Sequence, residues 1–149
     1  MFRLSMDAPK RLPFFVDQHL DVIPWGSEIP LKDVQQPPII PFLHSIPHYV
    51  LVIIDPDAPF PDYLHWMMID GISVIPYEPP NPPPSEVHRY FILVYEIQQP
   101  SQVYRIEEAA SEIRHRRNFS LNQLLRSLPI YPKPLLLRVG MFRSSTSRI

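Results

Sequence analysis

The proline content constrains the fold of this chain more than any other feature of its sequence. The chain contains 21 prolines but only three glycines. Proline fixes the backbone angle φ and lacks an amide hydrogen, so it is excluded from helix interiors and from central strands. The chain must therefore fold as short elements joined by rigid loops, which favours a mainly β structure. Apolar residues make up 45% of the sequence and recur in regular runs between the prolines, which argues against disorder.

Length and composition bound the class of protein further. A chain of 149 residues is predicted to form a single domain over 1–149, with a polar tail at 144–149 that we expect to be disordered. No run approaches the ~20 apolar residues of a membrane span, and the N-terminus lacks the apolar core of a signal peptide. The absence of cysteine excludes disulfides and thiolate metal sites. These features predict a cytoplasmic protein without a transmembrane segment.

Charge is distributed unevenly along the chain. Residues 1–100 carry 12 acidic and 5 basic groups, whereas residues 101–149 carry 3 acidic and 9 basic groups, for a net charge of -1. We expect the two halves to neutralise each other across one domain. Nucleic-acid binding by an arginine-rich segment is a minor alternative, because such runs usually form a solvated face, and no nucleic-acid partner is expected. The arginines concerned are Arg114, Arg116, Arg117 and Arg126.

Three apolar runs are predicted to form adjacent strands of one sheet. The runs are Tyr49–Ile54, His65–Ile69 and Tyr90–Ile97. The first is apolar on both faces and is therefore expected to be central. Leu135–Phe142 is a further strand candidate. Ser120 is a good N-cap for a short helix over Leu121–Leu128, and Glu107–Arg116 is a candidate for a partial, solvated helix.

Ionisable residues stand at the ends of these strands, where rigid scaffolds commonly place binding sites. Three motifs carry them: Asp55-Pro-Asp-Ala-Pro59, Tyr63-Leu-His-Trp66 and His88-Arg-Tyr90. The alternation of side chains along a strand places His65 and Trp66 on opposite faces. From these residues alone, a binding site and a turn flanked by structural histidines both remain open.

In this order, the three motifs resemble those of the phosphatidylethanolamine-binding protein family, which includes the Raf kinase inhibitor proteins and the plant flowering-time regulators. Leu31–Pro37 and Asn118–Leu125 are also similar to family segments, so the resemblance covers roughly residues 31–143. It implies a β-sandwich around one large antiparallel sheet, with one or two short helices. The chain ends soon after its last strand, so the C-terminal helix of animal members is expected to be missing.

The resemblance also implies a small anion pocket for phosphorylated head groups at one end of the sheet. Carried over by motif, the ligand-binding residues are Asp55, His65, His88, Tyr90, Pro59 and Tyr63. Histidine and tyrosine can donate hydrogen bonds to phosphate oxygens, and an ionised aspartate can accept one from an imidazole or an ammonium group. A head group that carries both an amine and a phosphate would therefore match these residues. Pro83 and Glu86 are expected at the rim. Glu86 replaces a family glycine, and a carboxylate facing the pocket should raise the pKa of His88 and oppose anion entry.

The function implied is a non-enzymatic, lipid- and phosphate-binding regulator of signalling that acts through protein partners such as a kinase and uses no cofactor or metal. The main alternative is a scaffold of the same fold with a vestigial pocket, which inhibits a kinase or a protease through its surface. An enzyme with Ser85 as nucleophile is disfavoured because no nucleophile elbow surrounds that serine. A metal site of two histidines and Asp55 is disfavoured because His88-x-Tyr90 offers no second ligand on its strand face.

Overall fold

The computed structural model describes residues 14–15, 22–23 and 25–146, and the fold is mainly β. In chain order the elements are β1 (Phe14–Phe15), β2 (Val22–Ile23), 3-10 helices at Leu31–Asp33 and Pro41–Ser45, β3 (Tyr49–Asp55), β4 (Tyr63–Ile69), β5 (Ile72–Ile75), β6 (Val87–Glu96), α1 (Ser101–Ala110), α2 (Leu121–Arg126) and β7 (Leu135–Ser145). Five strands form one antiparallel sheet in the order β5-β4-β3-β6-β7. A separate two-stranded sheet pairs β1 with β2.

The three strands predicted to be adjacent are neighbours in the large sheet, where β3 lies between β4 and β6. Every residue of β3 is buried, as expected for an apolar strand in the middle of a sheet. Strands β4 and β6 begin earlier than predicted, because Tyr63 still pairs with Asp55 of β3 and Val87 still pairs with Ser145 of β7. Strand β5, which the sequence did not indicate, follows a turn at Asp70 and Gly71 and forms one edge of the sheet.

The described residues include two short α-helices, and only one of them lies where it was predicted. Helix α2 begins after Ser120, whose Oγ accepts a hydrogen bond from the amide of Gln123 at 3.1 Å, so the predicted N-cap is confirmed. Helix α1 starts at Ser101, before the predicted helix at Glu107–Arg116, because its buried face is formed by Gln102, Ile106 and Ala110, which recur every four residues. In the part of the chain described, no helix is long and apolar enough to cross a bilayer.

Both faces of the large sheet are buried. One face carries an apolar cluster that includes Leu51, Ile53 and Phe142, packed under the loops that precede β3. The opposite face packs against the two helices, which contribute Ile106 and Leu125 to a second cluster. The described residues thus form an open five-stranded sheet covered on both sides, and the sandwich architecture stays a prediction.

A β-bulge in β4 decides which side chains share a face. Ile53 pairs with Trp66 and Ile54 pairs with Leu64, so His65 is an extra residue opposite β3. The bulge turns His65 toward Tyr90, which belongs to the same apolar cluster as Trp66. The prediction that His65 and Trp66 lie on opposite faces was therefore wrong, since it assumed regular alternation.

Strand β7 continues further than the sequence indicated. Ser144 and Ser145 are both buried within it, so these two residues belong to the sheet rather than to a disordered tail. The Ser144 hydroxyl donates to the Ile29 carbonyl at 2.7 Å, which satisfies a polar group in the interior. Residues 147–149 lie outside the described residues, and the single-domain organisation remains a prediction.

Residues 26–29 form a strap that runs along β7. The Gly26 amide donates to the Met141 carbonyl at 2.8 Å, and the Arg143 amide donates to the Ser27 carbonyl at 2.9 Å. The Ile29 amide donates in turn to the Arg143 carbonyl at 2.8 Å. The strap therefore supplies hydrogen-bond partners to the edge of β7 that faces away from β6.

Candidate functional site

The three sequence motifs meet at one end of the sheet. Because β3 is antiparallel to both β4 and β6, the end of β3 lies beside the beginnings of its two neighbours. A cavity of about 400 Å³ opens there, a size that suits a small-molecule ligand. The cavity is lined by all six residues predicted to bind ligand: Asp55, Pro59, Tyr63, His65, His88 and Tyr90. Their role in binding stays a prediction, whereas their convergence is a structural fact.

Asp55 and His88 form a buried pair at the inner end of this cavity. The Nδ1 atom of His88 lies 2.7 Å from Oδ2 of Asp55, and each side chain is only 4% exposed. The other carboxylate oxygen of Asp55 accepts a hydrogen bond from the Asp57 amide at 2.7 Å. The aspartate therefore fixes the orientation of the imidazole ring and closes the turn after β3.

The carboxylate of Glu86 forms a hydrogen bond with the other ring nitrogen of His88. Its Oε1 atom lies 2.7 Å from Nε2 of His88, while its own side chain is 54% exposed. Burial lowers the pKa of His88, but the hydrogen bonds and negative charges of Glu86 and Asp55 outweigh it, so the pKa is raised. This is the effect expected of a carboxylate that faces the histidine. Because both carboxylates accept hydrogen bonds, the protonated ring donates through both nitrogens and keeps no N–H for a ligand in this arrangement.

His65 has the opposite character. A carbonyl oxygen can only accept, so the 2.6 Å contact between Nδ1 of His65 and the Glu78 carbonyl places the hydrogen on Nδ1. Burial lowers the pKa of His65, which keeps the ring neutral. The lone pair on Nε2 is therefore available as an acceptor. The ring is held edge-on between Tyr63 and Tyr90, with centroid distances of 5.0 Å and 5.3 Å.

The two tyrosines complete the polar wall. Tyr90 is buried and stacks on Phe142 with the ring centroids 5.2 Å apart. Burial, followed by the charges of Asp55 and Asp57, raises the pKa of Tyr90, so its hydroxyl group stays protonated. The Tyr63 hydroxyl donates to Oε2 of Glu78 at 2.7 Å, which directs it toward the neighbouring loop.

Arg116 and Glu78 were not predicted as site residues, yet they hold one wall of the cavity in place. The guanidinium of Arg116 donates to the carbonyls of Leu64 and His65, each at 3.1 Å, and to that of Pro76 at 2.9 Å. Its Nε atom lies 3.2 Å from the Glu78 carboxylate. Arg116 thus fastens β4 to residues 76–84, here called the proline loop. Pro83 of this loop lines the cavity, and its position at the rim stays a prediction. The one available signal was that Glu78 is the only charged residue of this loop.

Arg117 is a further lining residue, and none of the three motifs contains it. It is exposed on the rim of the cavity. Phe60 also lines the rim, with 64% of its surface exposed and a φ of 56° in the left-handed region.

Asp57, from the first motif, does not line the cavity but holds the loop after β3 in place. Its carboxylate accepts hydrogen bonds from Nε and Nη2 of Arg89, both at 2.9 Å. These hydrogen bonds hold the pKa of Asp57 low and tie the loop after β3 to β6.

The alternative chemistries find little support in this geometry. Ser85, the suggested nucleophile, is not among the residues that line the cavity. Over the described ranges, no group of three or more histidine and acidic side chains is arranged to hold a metal ion. Both nitrogens of His88 contact carboxylates, so His88 could ligate a metal only by giving up one of these hydrogen bonds.

A comparison of sequences adds an independent observation. Over 62 residues the chain is 37% identical to Protein TWIN SISTER of FT from Arabidopsis thaliana, a plant member of the family indicated by the motifs. The chain is distantly similar to the phosphatidylethanolamine-binding proteins. The match covers 32% of this chain and 35% of the relative, so it spans about a third of each protein. No family model matches the sequence. The resemblance to the phosphatidylethanolamine-binding proteins is thus confirmed as a distant similarity.

Proposed function

We propose that this chain is a non-enzymatic binding protein whose cavity accepts a phosphorylated head group carrying an amine, and that it regulates a protein partner such as a kinase. The proposal includes a cytoplasmic location and the sandwich architecture, which follow from composition and from the resemblance. One observation carries it: the three motifs converge on a cavity of about 400 Å³ with buried, hydrogen-bonded polar groups on its inner wall. Apolar pockets with a few fixed polar groups are typical of small-molecule sites.

The side chains of the cavity favour binding over catalysis. None of its lining residues, among those described, is a serine, threonine or cysteine that could act as a nucleophile. Both nitrogens of His88 are engaged by carboxylates, so this ring has no free lone pair for a general base. His65 keeps a lone pair on Nε2, but no serine, threonine or cysteine lines the described part of the cavity for it to activate. The amine-plus-phosphate head group fits better, because the cavity offers acceptors on its inner wall and the cationic Arg117 at its rim.

The second candidate is a scaffold with a vestigial pocket, which inhibits a kinase or a protease through its surface. The bond between Glu86 and His88 favours this reading. A histidine with both nitrogens satisfied by the protein's own carboxylates resembles a structural residue more than a ligand-binding one. The two candidates differ in one measurable property, since only the first requires that a small phosphorylated amine reach the cavity.

Nuclear magnetic resonance of the histidine rings tests the proposal. Phosphoethanolamine added to millimolar concentration should shift the ring signals of His65 and His88. His48 provides an internal control, because it bonds to Asp70 at the far end of β3 and should not respond. Unchanged signals from all three rings would reject the pocket and support the scaffold.

A further inference from the structure

A second cavity lies on the face of the large sheet that packs against the helices. Its volume is about 310 Å³, and the described residues that line it do not include any that line the first cavity. Its floor consists of Val52 and Ile54 of β3 and Leu93 of β6, all of which are buried. Val52 pairs with Leu93 across the two strands, so the floor belongs to the rigid centre of the sheet. Because protein interiors seldom leave voids larger than a water molecule, an opening of this size is suited to a ligand.

Residues 119–122, which lead into α2, form another wall of this second cavity. The Phe119 amide donates to the Asp62 carbonyl at 2.9 Å, and the Ser120 hydroxyl caps α2, so the protein's own hydrogen bonds fix this wall. Phe119 and Leu121 add apolar surface to that of the floor. The cavity is therefore formed before a ligand arrives, which lowers the entropic cost of binding.

The polar groups of the second cavity select against anions. Among the described residues, the polar ones that line it are Asp62, Tyr95, Ser120 and Asn122, and no lysine, arginine or histidine lines it. Asp62 is only 6% exposed, so its carboxyl group belongs to the cavity wall rather than to the solvent. A phosphate or a carboxylate would find no cation here, in contrast to the first cavity, which Arg117 lines.

The hydroxyl group of Tyr95 gives this cavity a hydrogen-bonding partner for a ligand. Tyr95 lines the cavity, and within the described ranges no hydrogen bond engages its hydroxyl. Burial raises the pKa of Tyr95, so the hydroxyl stays protonated at neutral pH, and its oxygen keeps lone pairs that can accept. The Oγ atom of Ser120, in contrast, already accepts the capping hydrogen bond from the Gln123 amide. A donor on the ligand therefore finds its partner at Tyr95.

We propose that the second cavity binds a small aromatic molecule that carries a hydrogen-bond donor and no negative charge. An apolar cavity of about 150 Å³ accepts benzene, so this larger volume leaves room for two fused rings. The rings would lie on Val52 and Leu93 and against the ring of Phe119, with the donor directed at the Tyr95 oxygen. The site is independent of the proposed function, because Tyr90 of the first cavity belongs to the apolar cluster on the other face of the sheet.

Nuclear magnetic resonance of the methyl groups tests this site with three probes. Indole carries an N–H donor, benzofuran has nearly the same shape without a donor, and indole-3-carboxylate adds a negative charge. We expect indole to shift the methyl signals of Val52, Leu93 and Leu136, which line the cavity, but not those of Leu51 on the opposite face. Indole should bind about fivefold more tightly than benzofuran, because one hydrogen bond is lost in the latter. Indole-3-carboxylate should not bind detectably.

A pair of variants tests the role of the Tyr95 hydroxyl. Tyr95→Phe keeps the ring and removes only the oxygen, so it should weaken indole about fivefold and leave benzofuran unchanged. Tyr77→Phe is the matched control, because the Tyr77 hydroxyl donates to the Val34 carbonyl at 2.6 Å and its ring packs on the other face of the sheet. The control should change the affinity of neither probe.

The outcomes separate this site from the proposed function. Unchanged methyl signals at millimolar indole, or equal shifts for Leu51 and Leu93, would overturn the site. Equal affinities for indole and benzofuran, binding of indole-3-carboxylate as tight as that of indole, or equal effects of the two tyrosine variants would overturn the ligand class. None of these outcomes bears on the response of His65 and His88 to phosphoethanolamine, so either proposal can fail alone.

Discussion

Replacing Asp55 with asparagine measures how strongly the buried pair at the inner wall supports the fold. Asparagine keeps the size of the side chain but removes the charge that faces His88 at 2.7 Å. Breaking a buried ion pair by removing one partner costs about 3–5 kcal/mol in general. His88 can release its proton and is still bonded to Glu86, so we expect a loss near the lower limit, about 3 kcal/mol of unfolding free energy.

Asp57→Asn is the matched control, since it makes the same chemical change two residues away. The side chains of Asp57 and Arg89 are 27% and 49% exposed, so solvent screens their attraction. Pairs of this kind contribute up to about 1 kcal/mol, and the bidentate geometry places this one near that value. The control therefore isolates the effect of burial from the effect of losing an aspartate in this loop.

Urea unfolding, followed by tryptophan fluorescence, gives both free energies, and thermal melts check them. A loss of about 3 kcal/mol should lower the midpoint of thermal unfolding by roughly 6–12 °C in a chain of this size. The Asp57 variant should shift it by roughly a third as much. Equal losses in the two variants, or a loss below about 1 kcal/mol for Asp55→Asn, would refute the argument that burial makes the pair stabilising.

Three further outcomes are expected. Because the pKa of His88 is raised in the folded state, protonation of His88 stabilises the fold. This stabilisation is complete below the usual histidine pKa of 6.5 and is lost as pH rises through the folded-state pKa. His88→Gln should therefore flatten the dependence of the urea midpoint on pH over this range. Arg116→Lys should cost about 2 kcal/mol in urea unfolding because lysine cannot reproduce the fork of hydrogen bonds, whereas exposed Arg117→Lys should change stability by less than about 0.5 kcal/mol. Ser120→Ala should lower the unfolding free energy by about 1 kcal/mol through loss of the α2 cap, as measured by thermal melts.

The strands of the sheet were predictable because their signal is local. A strand buried on both faces needs a continuous apolar run, and β3 has one from Tyr49 to Ile54. The helix α1 was misplaced because its apolar face consists of only a few residues, including Ile106 and Ala110, within a charged segment. Strand β5 was missed because it has only four residues, all exposed or half-buried. A short edge strand of this kind leaves no long apolar run in the sequence.

The site was predictable only as far as its motifs reach. The motifs predicted that Asp55 and His88 lie close together, and the two side chains form a hydrogen bond. The replacement of a family glycine by Glu86 also pointed to the carboxylate that bonds to His88. The bulge at His65 could not be foreseen, because an extra residue in a strand leaves no mark in an apolar run. Arg116 was equally hidden, since its carbonyl partners lie 40 or more positions away in the sequence.

The strap of residues 26–29 has a consequence for the order in which this protein folds during synthesis. Its partners in β7 lie more than a hundred positions later in the chain, as the separation of 117 between Gly26 and Arg143 illustrates. Contacts between such distant segments close a long loop and therefore form late. On the ribosome, the amides of Gly26 and Ile29 can reach their native carbonyl partners only after β7 has emerged. The edge of the sheet is thus closed by a segment that is synthesised more than a hundred residues before the strand it borders.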